Sequence, residues 1–207
     1  MTISRARPRL AAALLSAVLV AGCIDIIPGR GAPPKLYSLS PKSTYSPDLP
    51  TVSWQLVVEA PVSADTLNTA RIALSRDPLT LDYYGNVLWS ERAPALVQTL
   101  LVESFENTGK IVAVARKTTD LRADYVLKTD LREFQAEYSG DGPPVAHVQV
   151  NAKLVKMPER TIIAAFKSES RIEAAGTEMI DVVYAFDEAL GKVLRSIVEW
   201  ALRAPPN

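Results

Sequence analysis

One cysteine, Cys23, and one histidine, His147, are all that 207 residues supply of the two side chains most used in metal and nucleophilic chemistry. A single cysteine cannot close an internal disulfide. A single histidine does not make the clustered ligand set of a zinc or transition-metal site. A serine or cysteine nucleophile needs a base beside it, and the only histidine lies on a strand whose alternation places it on the solvated side. Neither a G-x-S-x-G elbow, nor a Walker loop, nor a G-x-G-x-x-G turn occurs. The carboxylate groupings, Glu103 with Glu106 and Asp181 with Asp187 and Glu188, fall at helical spacing and read as solvated helix faces. The expectation is a chain that is not an enzyme and needs no cofactor and no metal. An excess of charge is also missing, because 23 basic residues balance 23 acidic ones. Nucleic acid is therefore not an expected partner.

What the chain does have begins at its first residue. Arg5, Arg7 and Arg9 stand in an N-terminus without acidic residues, and an apolar run from Leu10 to Ala21 follows, broken only by Ser16. This is the charged n-region and short apolar h-region of an export signal. About 12 apolar residues are too few to span a bilayer, which takes ~20. No later stretch is long enough either. The run ends in Val20-Ala21-Gly22-Cys23, which resembles the lipobox of bacterial lipoproteins, with Val20 where Leu is commoner. The resemblance implies cleavage before Cys23 and lipidation of its thiol. Residues 1–22 are then a signal peptide. Losing its three arginines leaves 20 basic residues against 23 acidic ones, a net charge of −3. Each buried lipid CH₂ contributes about 0.8 kcal/mol, and more than one chain anchors stably. Ile24, rather than Asp, follows the cysteine, with Asp25 one position later. By similarity to enterobacterial lipoproteins this favours the periplasmic face of the outer membrane over the inner membrane.

Residues 24–50 read as a leash rich in proline, glycine and serine, extended and poorly packed. The unstructured tether proper covers residues 23–34, and at most one edge strand is expected at Lys35–Leu39. From residue 35 to 207 a single domain is expected. Strands are expected around Val52–Val58, Arg71–Leu74, Leu79–Trp89, Ile111–Ala115 and Ala123–Tyr138, with a hairpin of Val145–Met157 and Thr161–Ile172 in which Ile162, Ala164 and Phe166 point inward. Helices are expected at Ala93–Thr108, with Pro94 in its first turn and Gly109 as its stop, and at Glu178–Arg203. The second carries Met179, Val183, Phe186, Leu190, Val193, Ile197 and Trp200 as one apolar stripe. The order gives an α/β domain with a mixed sheet and a long C-terminal helix.

The segment from Arg71 to Pro94 concentrates aromatic residues before a helix. Tyr and Trp are enriched among interface anchors, so Arg71, Tyr83, Tyr84 and Trp89 are candidate partner-contact residues. Tyr83 and Tyr84 fall on opposite faces of one strand, which leaves core packing and partner contact both open for them. Arg71-Ile72-Ala73, Leu81-Asp82-Tyr83-Tyr84, Trp89 before Glu91 and Pro94, and Leu100-Leu101-Val102-Glu103-Ser104-Phe105-Glu106 resemble the ABC-type transport auxiliary lipoproteins. Tyr37-Ser38-Leu39 is similar to that family's opening strand. The resemblance spans roughly residues 35–203. It implies a three-layer α/β/α domain, similar to the anticodon-binding-like fold. It also implies a non-catalytic accessory of an MCE-type ABC transport system for lipids or other hydrophobic compounds, with an MCE-domain protein as partner and a possible homo-oligomer. A rival from a different class is a periplasmic lipoprotein module that binds a lipid or small ligand itself, which needs an apolar cavity between helix and sheet.

Overall fold

The computed structural model describes residues 33–116 and 122–204. The expected signal peptide, Cys23 and the tether up to residue 32 lie outside them. Along the described chain run β1 (Lys35–Tyr37), β2 (Gln55–Val58), β3 (Val62–Ser63), β4 (Arg71–Ser75), β5 (Asp82–Trp89) and α1 (Ala93–Glu106). They are followed by β6 (Ala113–Arg116), β7 (Tyr125–Glu137), β8 (Val145–Lys156), β9 (Thr161–Glu173) and α2 (Met179–Arg203).

The 13-residue β7 is the spine of a nine-stranded mixed sheet. At ~3.3 Å per residue it is about 40 Å long, enough for three short strands end to end along one of its edges. β2, β3 and β4 take those places in chain order, all parallel to β7, opposite Tyr125, Asp130 and Gln135 in turn. β6 extends the sheet beyond β2, and β5 and β1 extend it beyond β4. On the other edge of β7 the chain doubles back antiparallel through β8 and β9 over their full lengths.

Side-chain alternation gives the sheet two unlike faces. Leu127, Leu131, Phe134 and Ala136 of β7 point to one face with Val148, Val150 and Leu154 of β8. Both helices pack there. α1 contributes Leu96, Val97, Leu101 and Phe105. Pro94 fits its opening turn, and Gly109, at φ +59°, ends the run. α2 contributes Val183, Phe186, Leu190, Val193 and Ile197, the expected stripe. Trp89, Phe134 and Phe186 form the centre of this core, with ring centroids 5.2–5.6 Å apart.

The expected three-layer arrangement does not form. The two helices touch each other and share a single core, so the domain has two layers. The other face supplies the reason, because Lys128, Asp130, Gln149, Asn151, Lys153, Lys167 and Glu169 offer no apolar surface there for a helix to bury. That face holds only a small apolar cluster at one end, Val57, Val126 and Val155.

Two other expectations need correction. Residues 40–50 are not a leash. Leu39 and Leu49 are buried, and three backbone N–H groups strap the segment across both helices. Those of Ser40, Lys42 and Ser46 donate to Asp187 Oδ1 (2.6 Å), Ser104 Oγ (2.9 Å) and Glu199 Oε1 (2.9 Å). Ile162, expected inward, is 55% exposed. A register shift in the hairpin near Leu154 and Val155 turns the start of β9, while Phe166 does reach α2 and stacks on Trp200 at 5.3 Å.

Candidate functional site

The β4–β5 hairpin holds the four residues that the sequence singles out, and it separates them. Arg71 and Tyr83 form one pair, the guanidinium 3.7 Å from the ring centroid. Such a stack contributes about 0.5–1 kcal/mol at an exposed site. The Tyr83 hydroxyl donates to the carbonyl of Thr66 at 2.9 Å. Tyr84 lies half-buried against Tyr138 of the neighbouring β7, with the two hydroxyls 2.8 Å apart. Burial, and then the hydrogen bond to Tyr138, push the Tyr84 hydroxyl well above the usual phenol range. Arg76, on the turn after β4, covers the Tyr138 ring at 4.4 Å.

Trp89 is elsewhere. Only 1% of it is exposed, because the last residue of β5 enters the sheet on the helix side, between Phe134 and Phe186. It is a core residue rather than a surface anchor. Arg71, Tyr83 and Tyr84 remain together on the hairpin.

The structure adds a group that sequence reasoning misplaces. Alternation alone makes His147 a solvated residue, yet it is only 6% exposed. It does point to the open face, as alternation requires, but Gln135 and Arg171 stand directly opposite it on the flanking strands and cover it. Its Nδ1 is 2.7 Å from Glu137 Oε1 and its Nε2 is 2.9 Å from Glu169 Oε1. Arg171 pairs with Glu137 as well and approaches the imidazole at 3.1 Å. Gln135 donates to Glu133 Oε2 at 2.6 Å and to Glu137 Oε1 at 3.2 Å. The hydrogen bond from Lys167, then that with His147, holds the Glu169 carboxyl below its ordinary value. No single-sequence signal gives this burial, because it depends on the register that sets β7, β8 and β9 side by side.

Between this network and the β4–β5 turn lies an open groove of about 300 Å³, lined by Ser75, Arg76, Asp77, Glu133, Glu137 and His147 among others. Its charge is mostly negative, from Asp77, Glu133 and Glu137 against the single Arg76, and Glu133 and Glu137 are already bonded to Gln135 and His147. The hydroxyl of Ser75 donates to the carbonyl of Asp77, not to His147, so the histidine is not set beside a nucleophile there. Among the described residues no group of three or more His, Cys, Asp or Glu is arranged to hold a metal ion. The arrangement suits polar contact with another surface. The space between helices and sheet, where a ligand-binding module would carry its cavity, is filled here by Trp89, Phe134 and Phe186.

Residues 37–198 match the family described as ABC-type transport auxiliary lipoprotein component. Protein XCC0632 from Xanthomonas campestris, a solved structure, is 33% identical, with a TM-score of 0.77 over 81% of this chain and 94% of that one. A second solved structure, of an uncharacterized protein, shares the fold with a TM-score of 0.65 at 13% identity, over 82% of this chain and 99% of that one. Protein bll6063 from Bradyrhizobium diazoefficiens is 28% identical over 187 residues, which is 87% of this chain but 49% of that protein. The chain thus spans about half the length of that relative.

Proposed function

The chain belongs to the ABC-type transport auxiliary lipoprotein components, and from that premise we propose that it is a non-catalytic docking subunit of an MCE-type lipid transport system. In this reading Cys23 carries the lipid and holds the domain on the periplasmic face of the outer membrane. The hairpin surface of Arg71, Tyr83 and Tyr84 meets an MCE-domain protein that extends from an inner-membrane ABC transporter.

The family match is the observation that carries the reading, since it makes a transport complex the context for this domain. Two features support it. Among the described residues no helix is long and apolar enough to cross a membrane, and lipid on Cys23 is the anchor that this reading proposes. Arg71 and Tyr83 are paired on the hairpin, with half-buried Tyr84 held beside them by Tyr138, and side chains with little freedom left to lose make efficient contacts.

The test is genetic and biochemical. Deletion of the gene should release the far end of the MCE protein from the outer membrane and weaken the lipid-dependent barrier. Cys23→Ser should leave an uncleaved precursor in the inner membrane and reproduce the deletion. An MCE protein that still bridges both membranes in the deletion strain, with an intact barrier, sinks the proposal.

A further inference from the structure

The hairpin partner β9 is the outermost strand on its side of the sheet. It pairs with β8 along one edge, and among the described residues nothing pairs with the other. Unpaired edges of this length invite another strand, and proteins usually blunt them with proline, a bulge or charged side chains. β9 contains no proline, and its one irregularity lies at its start, near Ile162. From Ala164 to Glu173 the ladder is regular.

The charges on this stretch alternate in sign. Lys167, Glu169, Arg171 and Glu173 face the open side in that order, and all four are exposed. Facing residues on antiparallel strands interact as pairs, favourably when their charges are opposite. Laid antiparallel against a second copy of itself about a twofold axis at Ser170, the strand sets Lys167 opposite the second copy's Glu173 and Glu169 opposite its Arg171. Symmetry repeats both pairs. A slip of the axis to Glu169 sets that glutamate against itself and Lys167 against Arg171. A slip to Arg171 sets that arginine against itself and Glu169 against Glu173. An axis at Ser168 keeps only the Lys167–Glu169 pairs. One register is therefore favoured and its neighbours are penalised, the pattern expected of a specific contact.

We infer that β9 is a self-association edge, through which two copies of this chain join their sheets antiparallel about Ser170. Both helix layers then lie on the same side of a continuous sheet, and the polar open faces merge into one. The inference stands on the edge and its charges and not on the transport reading, so each can fail without the other.

Cross-linking tests it on the full-length, detergent-extracted chain. In the twofold register the two Ser170 residues face each other, within the Cα separation of ~4.4–6.8 Å that a disulfide needs. Ser170→Cys should give a covalent dimer under mild oxidation. Ala165→Cys, exposed on the same strand, should give none, since its two copies lie about ten residues apart along the ladder, roughly 33 Å. Charge reversal gives an independent reading by sedimentation. Lys167→Glu should weaken dimerisation about tenfold by setting like charges opposite each other, and adding Glu173→Lys should restore it. A chain that sediments as a monomer at all concentrations overturns the inference. So does a dimer indifferent to these reversals, an Ala165→Cys variant that cross-links as well as Ser170→Cys, or a cross-link to a different protein instead of a second copy.

Discussion

The same three strands, β7, β8 and β9, build both faces of the sheet, yet the two faces are held by different physics. Under the helices, alternate residues such as Leu127, Phe134, Val150 and Leu154 meet Phe186, Val193 and Ile197 with almost no exposure. One residue along, His147 with Glu137 and Glu169, and Arg171 with Glu137, pair across the strands, while Gln135 joins Glu133 and Glu137 along β7. The covered face gains by removing apolar surface from water, which needs volume and little direction. The open face gains only where donors and acceptors match, and each buried group left unmatched costs more than a match contributes.

That contrast can be broken by mutation, starting where the effect is largest. Phe186→Ala removes the ring that touches both Trp89 and Phe134. It should cost about 3–5 kcal/mol in urea or guanidinium unfolding, the range for large aromatic-to-alanine changes in a core. His147→Ala leaves Glu137 and Glu169 without the group between them, and should cost about 1–3 kcal/mol, the penalty of a buried partner lost. If it costs as much as Phe186→Ala, the open face is a second core and the comparison fails.

The smallest effect should come from the strap, and acid reveals it. Burial by itself raises the Glu199 carboxyl, but the Ser46 N–H, Arg195 and Arg203 outweigh it and hold the carboxyl below its ordinary value of 4.5. A carboxyl lowered on folding contributes stability above its unfolded value and loses it as pH falls through the folded one. Stability should therefore be level from neutral pH down to about 5 and decline below that. Glu199→Gln should flatten part of the decline by lowering the neutral value slightly, because the amide lacks the contribution that the carboxylate makes above its unfolded value. An unchanged acid limb would show that the strap contact adds nothing.

How far the sequence can be read follows the same division. The stripe of α2 and the long β8–β9 hairpin are legible because burial on one side leaves a period of 3.6 or 2 in the residues. Trp89 is ambiguous, since an aromatic before a helix reads alike as core or anchor, and only its place at the end of β5 decides. His147 is misread because its burial comes from neighbours on other strands. The strap is misread for a related reason. Its composition of Pro41, Pro47, Pro50 and several serines is that of a linker, while its bonds come from backbone N–H groups to side chains 62 to 153 residues away. Leu39, Leu49 and Tyr45, isolated apolar and aromatic residues, hint at it. The layer count fails because it comes from resemblance rather than from the polar alternation of β8, which argues against a helix on that side.

The strap and β1 together set how a tethered domain bears load. If the residues before Pro34 connect to a membrane, every pull from a moving partner enters the fold through β1, at the pairs Lys35–Val87, Leu36–Leu88 and Tyr37–Trp89. Three backbone pairs are a weak clamp, and under force the unfolding rate sets survival. The next residues are tied to α1 and α2 by Ser40, Lys42 and Ser46, so tension that strips β1 arrives at the two helices and not at the β4–β5 hairpin. The strap thus works as a strain relief, like the grip where a cable enters its housing, and once β1 has come away from β5 it keeps further tension off the candidate docking surface.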